Sequence, residues 1–370
     1  MTVGLFIASA VVVALWAWLA ALLPRALRRV PRIDATGQPR QSPLVSVVVP
    51  ARNEEKLLPG CLAALAAQDF TPLEVVVVDD HSSDGTRQVA EAARGVRLVL
   101  APERPAGWAG KCWAAWQGAR AARGEWLLFL DADALTEPAC LRATLADAQR
   151  AEADLLAAMP RADCASTWEA LAQPVMLFLL LWHLHPERVN DPRDPTAAAP
   201  GSFLFFRRVA YEKMGGHEAV RGQVVEDLKL AQLVKQSGLK LRLAAAPHLV
   251  ATRRPLTRRE LWNGWCRVAV DGLGRRAGLG LLGGFAVAVA FLLPYAVAPL
   301  GWAATGLAAV HLLLARLVRL QLARAWGIDD RLAWLQPLGA LFAVAVLLRA
   351  ALAARTGGAR VEWRGRDYAA

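Results

Sequence analysis

Trp126-Leu127-Leu128-Phe129-Leu130-Asp131-Ala132-Asp133 runs five apolar residues straight into two carboxylates. A short continuous apolar run reads as a strand buried on both faces. Carboxylates at i and i+2 leave a strand on the same side, and at its end the chain turns into a loop that can gather both. Their hard oxygens suit Mg²⁺ or Mn²⁺, cations that in turn grip a diphosphate. The octet therefore points to a metal-bound nucleoside-diphosphate site, with a loop turn or helix cap as the plain alternative. The flanking segments decide between the two.

Candidate strands fall at residues 44–49, 73–78, 96–100, 126–130 and 154–158, separated by helical stretches near 54–67, 84–93, 108–123 and 138–150. Continuous β-branched runs alternating with helices predict an α/β fold with a mainly parallel sheet covered on both faces. Such sheets bind ligands beyond the carboxyl ends of their strands. Every polar cluster falls at one of those ends. The first strand leads into Pro50-Ala51-Arg52-Asn53-Glu54-Glu55 and the second into Asp79-Asp80-His81-Ser82-Ser83-Asp84-Gly85-Thr86. The third leads into Gly107-Trp108-Ala109-Gly110-Lys111, and the fourth into Asp131-Ala132-Asp133.

Each cluster has a chemical and a structural reading. Asp79 and Asp80 can accept hydrogen bonds from a uracil N–H or ribose hydroxyls, while Asp84 suits a helix cap; all of them could equally just shape the turn. Glycines before Lys111 let backbone approach a ligand, and its ammonium offers a point charge to phosphate; the alternative is a solvated lysine. Glu226-Asp227 opens a helical stretch near 224–237. Acidic residues there complement the helix dipole, but an inverting sugar transfer needs a carboxylate base for the acceptor hydroxyl. Asp227 is the candidate base, with Glu226 orienting it or the acceptor. Trp262, Trp265 and Arg267 follow the basic residues Arg253, Arg254, Arg258 and Arg259. They read as acceptor or diphosphate contacts, or as an anchor at a bilayer interface. His217, in Gly215-Gly216-His217-Glu218, is a candidate acceptor contact or a structural histidine.

With 55% hydrophobic residues and a mean hydropathy of +0.30, the 370-residue chain is too apolar for an ordinary soluble protein. Its net charge of +11 comes mostly from arginines beside apolar runs. That pattern suits anionic lipid and positive-inside topology, and no nucleic-acid motif accompanies it. Five cysteines without a C-x-x-C pair argue against zinc or redox chemistry, and Cys112 reads as packing.

Residues 5–23 are apolar and long enough to span a bilayer, and Arg25, Arg28, Arg29 and Arg32 follow them. A cleaved signal peptide has the reverse order, so this reads as an uncleaved anchor with the following domain cytoplasmic. Residues 168–184 form a short apolar segment, either an interfacial helix or a core helix. Residues 187–195 mix charges with prolines and read as a loop. Further apolar runs cover 279–300, 302–320 and 333–352. The expected partition is an anchor over 1–24, a basic linker over 25–43, an α/β domain over 44–276, membrane helices over 277–354 and a basic-aromatic tail over 355–370. Four spans would put both chain ends outside, whereas Arg349, Arg355, Arg360, Arg364 and Arg366 favour a cytoplasmic tail, so one C-terminal segment is expected to be re-entrant.

Together these residues resemble the membrane-bound family 2 glycosyltransferases with a GT-A fold, over roughly residues 45–267 and again at the tail. The family pattern stands as P-x-R-N-E-E, V-D-D-x-S-x-D-G-T, G-W-x-G-K-x-W-A, D-A-D, G-G-H-E and V-V-E-D. Gly107 to Ala114 and the tail Trp363-Arg364-Gly365-Arg366-Asp367-Tyr368 are most similar to the branch containing hopanoid-associated and carotenoid-acid glycosyltransferases. Ceramide glucosyltransferase is a more distant likeness. The resemblance implies that Pro50, Arg52, Glu54, Asp80 and Lys111 line the nucleotide pocket. Asp131 and Asp133 would handle the metal-diphosphate, with Asp133 the direct ligand, and Asp227 would be the base. It also implies a UDP-sugar donor, a lipid acceptor at the cytoplasmic membrane face, and Mg²⁺ or Mn²⁺. Processive relatives carry Q-x-x-R-W where this chain has Arg259-Glu260-Leu261-Trp262-Asn263-Gly264-Trp265, which favours a single transfer. A polysaccharide synthase and an inactive nucleotide-sugar-binding scaffold are the competing readings.

Overall fold

The computed structural model describes residues 2–223, 225–253, 255–273, 276–356, 360–363 and 366–369. Val224, Arg254, Arg364 and Gly365, all within stretches cited above, lie outside the described residues. In chain order the elements begin with α1 (Thr2–Arg29), β1 (Val45–Ala51), α2 (Leu58–Ala66), β2 (Leu73–Asp79), α3 (Thr86–Ala92) and β3 (Val96–Leu100). Next come α4 (Gly110–Ala121), β4 (Trp126–Leu130), β5 (Ala134–Thr136), α5 (Cys140–Ala151), β6 (Leu155–Met159) and β7 (Arg161–Ala162). They continue with α6 (Thr167–Leu184), α7 (Pro186–Asn190), β8 (Phe203–Arg207), α8 (Arg208–Lys213), α9 (Gly216–Ala219) and α10 (Glu226–Gln236). The last are β9 (Leu241–Ala245), β10 (Val250–Thr252), α11 (Arg258–Gly272), α12 (Ala277–Val297), α13 (Trp302–Trp326), α14 (Gln336–Thr356), β11 (Arg360–Trp363) and β12 (Arg366–Ala369).

Two units emerge. Val30–Ala162 with Leu184–Arg254 form the α/β unit, and Met1–Arg29, Asp163–His183 and Pro255–Ala370 form the apolar unit. This division cuts the chain differently from the linear partition, because α6 and α11 group with the long apolar helices.

The α/β unit is built on a seven-stranded sheet of order β3-β2-β1-β4-β8-β6-β9. β1, β2, β3 and β4 run parallel, as do β6 and β9. β8 runs against both of its neighbours, so the sheet is mixed but mostly parallel. The valines of β1 and β2 make these strands nearly continuous core, with Val47, Val48, Val49, Val76, Val77 and Val78 all fully buried. Each such side chain is worth about 1.5–3 kcal/mol relative to an exposed one. β3, at the sheet edge, has only partly buried and exposed positions. α4 lies tightly on β1 and β2 because Gly118 has no side chain: a Cβ there would meet Val48 Cγ1 at 2.3 Å and Val78 Cγ2 at 2.9 Å.

The expected helix at 54–67 starts only at Leu58, since Glu54 and Glu55 turn their backbone N–H groups to Thr86 Oγ1 and Asp84 Oδ2. The stretch 187–195, expected as loop, holds the short helix α7, with Pro186 in its first turn where a missing N–H costs nothing. A smaller sheet of order β5-β10-β7 pairs the segment just after Asp133 with the chain near Thr252.

In the apolar unit four helices, Val3–Arg29, Ala277–Leu300, Trp302–Trp326 and Ala333–Arg355, are long and apolar enough to cross a membrane. α6 is a shorter apolar helix with its Ala170–Met176 stretch mostly buried, while Trp168 and Trp182 are about half exposed. Gly339 of α14 lets that helix approach α6: a Cβ there would meet Leu171 O at 2.3 Å. α1, α6 and α12 each contain an internal proline, Pro24, Pro174 and Pro294. A helical proline leaves the carbonyl four residues earlier without its N–H partner. All three carbonyls are satisfied by α13: Gln321 donates to Ala20 O, Arg319 to Ala170 O and His311 lies 3.1 Å from Ala290 O. Trp16 Nε1 donates to Ala290 O as well. The tail forms an antiparallel hairpin of β11 and β12.

Candidate active site

The carboxyl ends of β1 and β2 build one wall of the site from the two acidic motifs. Pro50 pairs in register with Val78, and Ala51 with Asp79, so both motifs leave the sheet at the same level. Arg52 then reaches across: Nη1 donates to Asp80 O at 2.7 Å and lies 4.0 Å from Asp80 Oδ2. Asn53 adopts a left-handed backbone (φ 55°), a conformation its short amide tolerates, and its Oδ1 accepts Ser83 N–H. Glu54 is buried. Asp79 Oδ1 accepts the Ser82 N–H, and His81 Nδ1 lies 3.5 Å from Asp80 Oδ1. Asp84 accepts both the N–H and hydroxyl of Thr86 at the start of α3. Burial raises its carboxyl, but these hydrogen bonds outweigh that and leave it below the usual range. Asp84 is thus the helix-start residue, while Asp79 and Asp80 are buried at the ligand-binding edge of the sheet.

The second wall centres on Lys111. Its Nζ lies 2.8 Å from Asp131 Oδ1, 3.0 Å from Glu226 Oε1 and 3.2 Å from Gly201 O. Four separate segments therefore meet at one ammonium: the start of α4, the end of β4, the loop before β8, and the start of α10. Burial pulls the ammonium down, but Asp131 and Glu226 more than offset it, so Lys111 stays protonated well above the usual lysine range. Asp227 stands next to this cluster, its Oδ1 accepting the Leu228 N–H. Burial first, and Glu226 second, push its carboxyl up to about 6, against the opposing pull of Lys111. Gly201 is required here, since a Cβ would sit 2.7 Å from Asp227 Oδ2. Asp131 N–H donates to Ser202 O, and Arg253 N–H donates to Asp133 O, which fixes both ends of the Asp131-Ala132-Asp133 turn. Cys112, beside Lys111, is buried with its Sγ against Val220 O and Gln223 O, and burial pushes its thiol up, as packing predicts.

The structure thus brings Lys111, Asp131, Glu226 and Asp227 together and places Arg52, Glu54, Asp79 and Asp80 in a second cluster on the same sheet edge. His217 is elsewhere in character. It is buried, 2.8 Å from the Tyr211 hydroxyl, with its ring 4.5 Å from that of Phe129. Burial lowers it to about 3, so it is neutral in the core. Trp262, Trp265 and Arg267 lie on α11 in the apolar unit, where Trp262 packs edge-on against Phe342 at 5.7 Å and Trp265 lines an apolar cavity. Gly201 and Ser202 went unread in the sequence, although Pro200-Gly201-Ser202 ahead of an apolar run is a turn signal.

Among the described residues no three His, Cys, Asp or Glu side chains converge as a ready-made cation site. Asp131, already paired with Lys111, and Asp133 are donors of the kind Mg²⁺ takes, since that ion is commonly held by one or two carboxylates with substrate phosphates and water completing its shell.

Residues 46–215 match the family model Glycosyl transferase family 2. Over 98 residues the chain is 40% identical to a 4,4'-diaponeurosporenoate glycosyltransferase of Staphylococcus haemolyticus, covering 26% of this chain and 25% of that protein. Over 233 residues it is 24% identical to the protein of the same name from Staphylococcus aureus, covering 62% of each. The chain thus spans about a quarter and about three fifths of the length of these relatives. A mannosyltransferase from Pyrobaculum calidifontis, solved in complex with GDP-Man and Mn²⁺, shares the fold with a TM-score of 0.55 at 23% identity, over 95% of this chain and 99% of that one. The mostly parallel sheet with acidic clusters at its carboxyl edge is thus the GT-A fold shared with that mannosyltransferase, and residues 46–215 are similar to the family 2 glycosyltransferases.

Proposed function

We propose that the protein transfers one sugar from a nucleoside-diphosphate sugar, UDP-linked, to a lipid acceptor at the cytoplasmic membrane face, with inversion. The carrying observation is the convergence of Lys111, Asp131, Glu226 and Asp227 at the carboxyl edge of the sheet. Arg52, Glu54, Asp79 and Asp80 receive the nucleoside, whose N–H and ribose hydroxyls match buried carboxylate acceptors. Asp131 and Asp133 would hold Mg²⁺ or Mn²⁺, which when bound would supply electrostatic stabilisation of the departing diphosphate. Lys111 adds a fixed positive charge beside the same group. Asp227 takes the acceptor hydroxyl proton as the acceptor oxygen bonds to the sugar's anomeric carbon and the bond from that carbon to the diphosphate breaks. The four long apolar helices supply the membrane attachment, and the relatives' names supply the case for a lipid acceptor.

Those names also carry a second reading, since a "-noate" acceptor is a carboxylate and needs no base. The deciding experiment measures UDP or GDP release by the full chain in detergent, with Mn²⁺ or Mg²⁺, the matching UDP- or GDP-sugars and a total lipid extract, with product mass recorded. Lipid-dependent release with a one-sugar mass gain is expected. Repeated sugar increments would replace the proposal with a polymer synthase. An alkali-labile product would assign a carboxylate acceptor.

A further inference from the structure

The apolar unit holds a half-open cavity of about 810 Å³ walled by α1, α6, α11, α12 and Leu347 of α14. Its size falls within the ~300–1,000 Å³ of small-molecule sites. Every described lining residue is aliphatic, aromatic, methionine or glycine, and none is charged. An apolar void holds no stable water, and left empty it forfeits the dispersion contacts of its walls. A hydrocarbon chain therefore belongs there.

Two observations narrow its identity. Trp16, Trp18, Phe178, Trp182, Trp265 and Phe291 are among the lining residues, so much of the wall is flat and stiff. A stiff chain loses less conformational freedom on entering such a site than a flexible acyl chain does. Two of the walls are also continuous in sequence with the small sheet that follows Asp133. α6 begins five residues after β7, and α11 begins six residues after β10, the strand that pairs with β5.

We propose that this cavity holds the stiff, elongated hydrocarbon tail of the lipid acceptor, an inference that rests on the lipid-transfer reading above. The test uses cis-parinaric acid, a linear conjugated tetraene acid, as probe with the full chain in detergent, following energy transfer from the lining tryptophans. Gly272→Leu enters open space, since a Cβ there meets nothing within 4 Å, and Ala269→Phe fills the same wall independently. Saturable transfer is expected, weakened about tenfold in both variants while UDP binding by calorimetry is unchanged. Absence of saturable transfer, or unchanged affinity in both variants, overturns the site. Displacement of the probe by stearate as effective as by unlabelled polyene acid overturns the stiff-tail assignment and gives the cavity to bilayer lipid. Lipid-dependent sugar transfer that survives both substitutions unaltered removes the cavity from acceptor binding and leaves the proposed function standing. Saturable probe binding by a protein that releases no UDP with any lipid defeats the transferase reading, and the acceptor assignment with it.

Discussion

At the scale of single residues, the site turns on how Asp227 is poised. A base must be ionised, and burial with Glu226 lifts Asp227 to about 6. The carboxylate fraction therefore grows as pH rises, so kcat is expected to climb through about pH 6 and level off above it, in a pH–rate profile at saturating substrates. Glu226→Gln removes the like charge, which should move that midpoint down; an unmoved midpoint would separate the two groups. Because they interact, the measured value belongs to the pair. Asp227→Asn should lower kcat by about 10²–10⁴-fold, with donor binding by calorimetry unchanged. Retained turnover would remove Asp227 from the role of base or point to a carboxylate acceptor. The acidic motifs were legible in sequence because each sits at the end of a locally obvious strand. The meeting of Lys111 with Glu226 was not, since it joins segments 115 residues apart through the fold. The setting of His217 was hidden for a related reason: its partner Tyr211 is close in sequence, but the Phe129 ring that packs against it comes from β4.

At the scale of elements, α13 acts as a polar spine for kinked neighbours. Three proline-freed carbonyls in three helices each find a donor on it, through His311, Arg319 and Gln321. Arg319 is buried yet fully engaged, donating also to Asp329 O and to Gln336 Oε1. In a bilayer an unpartnered carbonyl is costly, so a side chain that serves one should matter only while the proline is present. Gln321→Leu is expected to destabilise the folded protein by about 1–2 kcal/mol, within the range measured for interhelical hydrogen bonds. In a Pro24→Ala background, where residue 24 again donates to Ala20 O, the same substitution should cost less than about 0.5 kcal/mol. Equal costs in both backgrounds, by thermal or denaturant unfolding in detergent, would show that Gln321 serves packing alone. The prolines are visible in the sequence, but the donors that answer them are not, because they lie on another helix far along the chain. The sheet shows the same divide. β1 to β4 and β6 were readable from valine-rich or apolar runs, whereas β8 was passed over. Its Phe203-Leu204-Phe205-Phe206 run follows a loop-like stretch and suits a strand or a buried helix equally until β4 and β6 pair with it.

At the scale of the whole molecule, two sequence signals disagree about the membrane, and the structure sharpens the disagreement. Four helices are long and apolar enough to span, an even number that puts both chain ends on one side if all of them cross. By charge bias the arginines after α1 favour a cytoplasmic α/β unit, and four crossings would then leave both ends outside. Yet Arg349, Arg355, Arg360, Arg364 and Arg366 crowd the C-terminal end, and charge bias favours keeping such a segment inside. The two requirements are reconciled when one C-terminal helix enters and leaves from the same face. Cysteine labelling with a membrane-impermeant maleimide decides this in intact cells. Burial pushes the Cys61 and Cys140 thiols up to about 12 and raises Cys112 as well, so these stay unreactive, and only the partly exposed Cys164 and Cys266 need replacing. Ala92→Cys, exposed on α3, should label only after permeabilisation, which would fix the catalytic domain in the cytoplasm. Ala369→Cys should behave in the same way. If instead it labels in intact cells while Ala92→Cys stays protected, all four helices cross and the arginine-rich tail lies outside, against the charge rule. Labelling of Ala92→Cys in intact cells would invert the whole arrangement and take the donor site away from the cytoplasmic nucleotide-sugar pool.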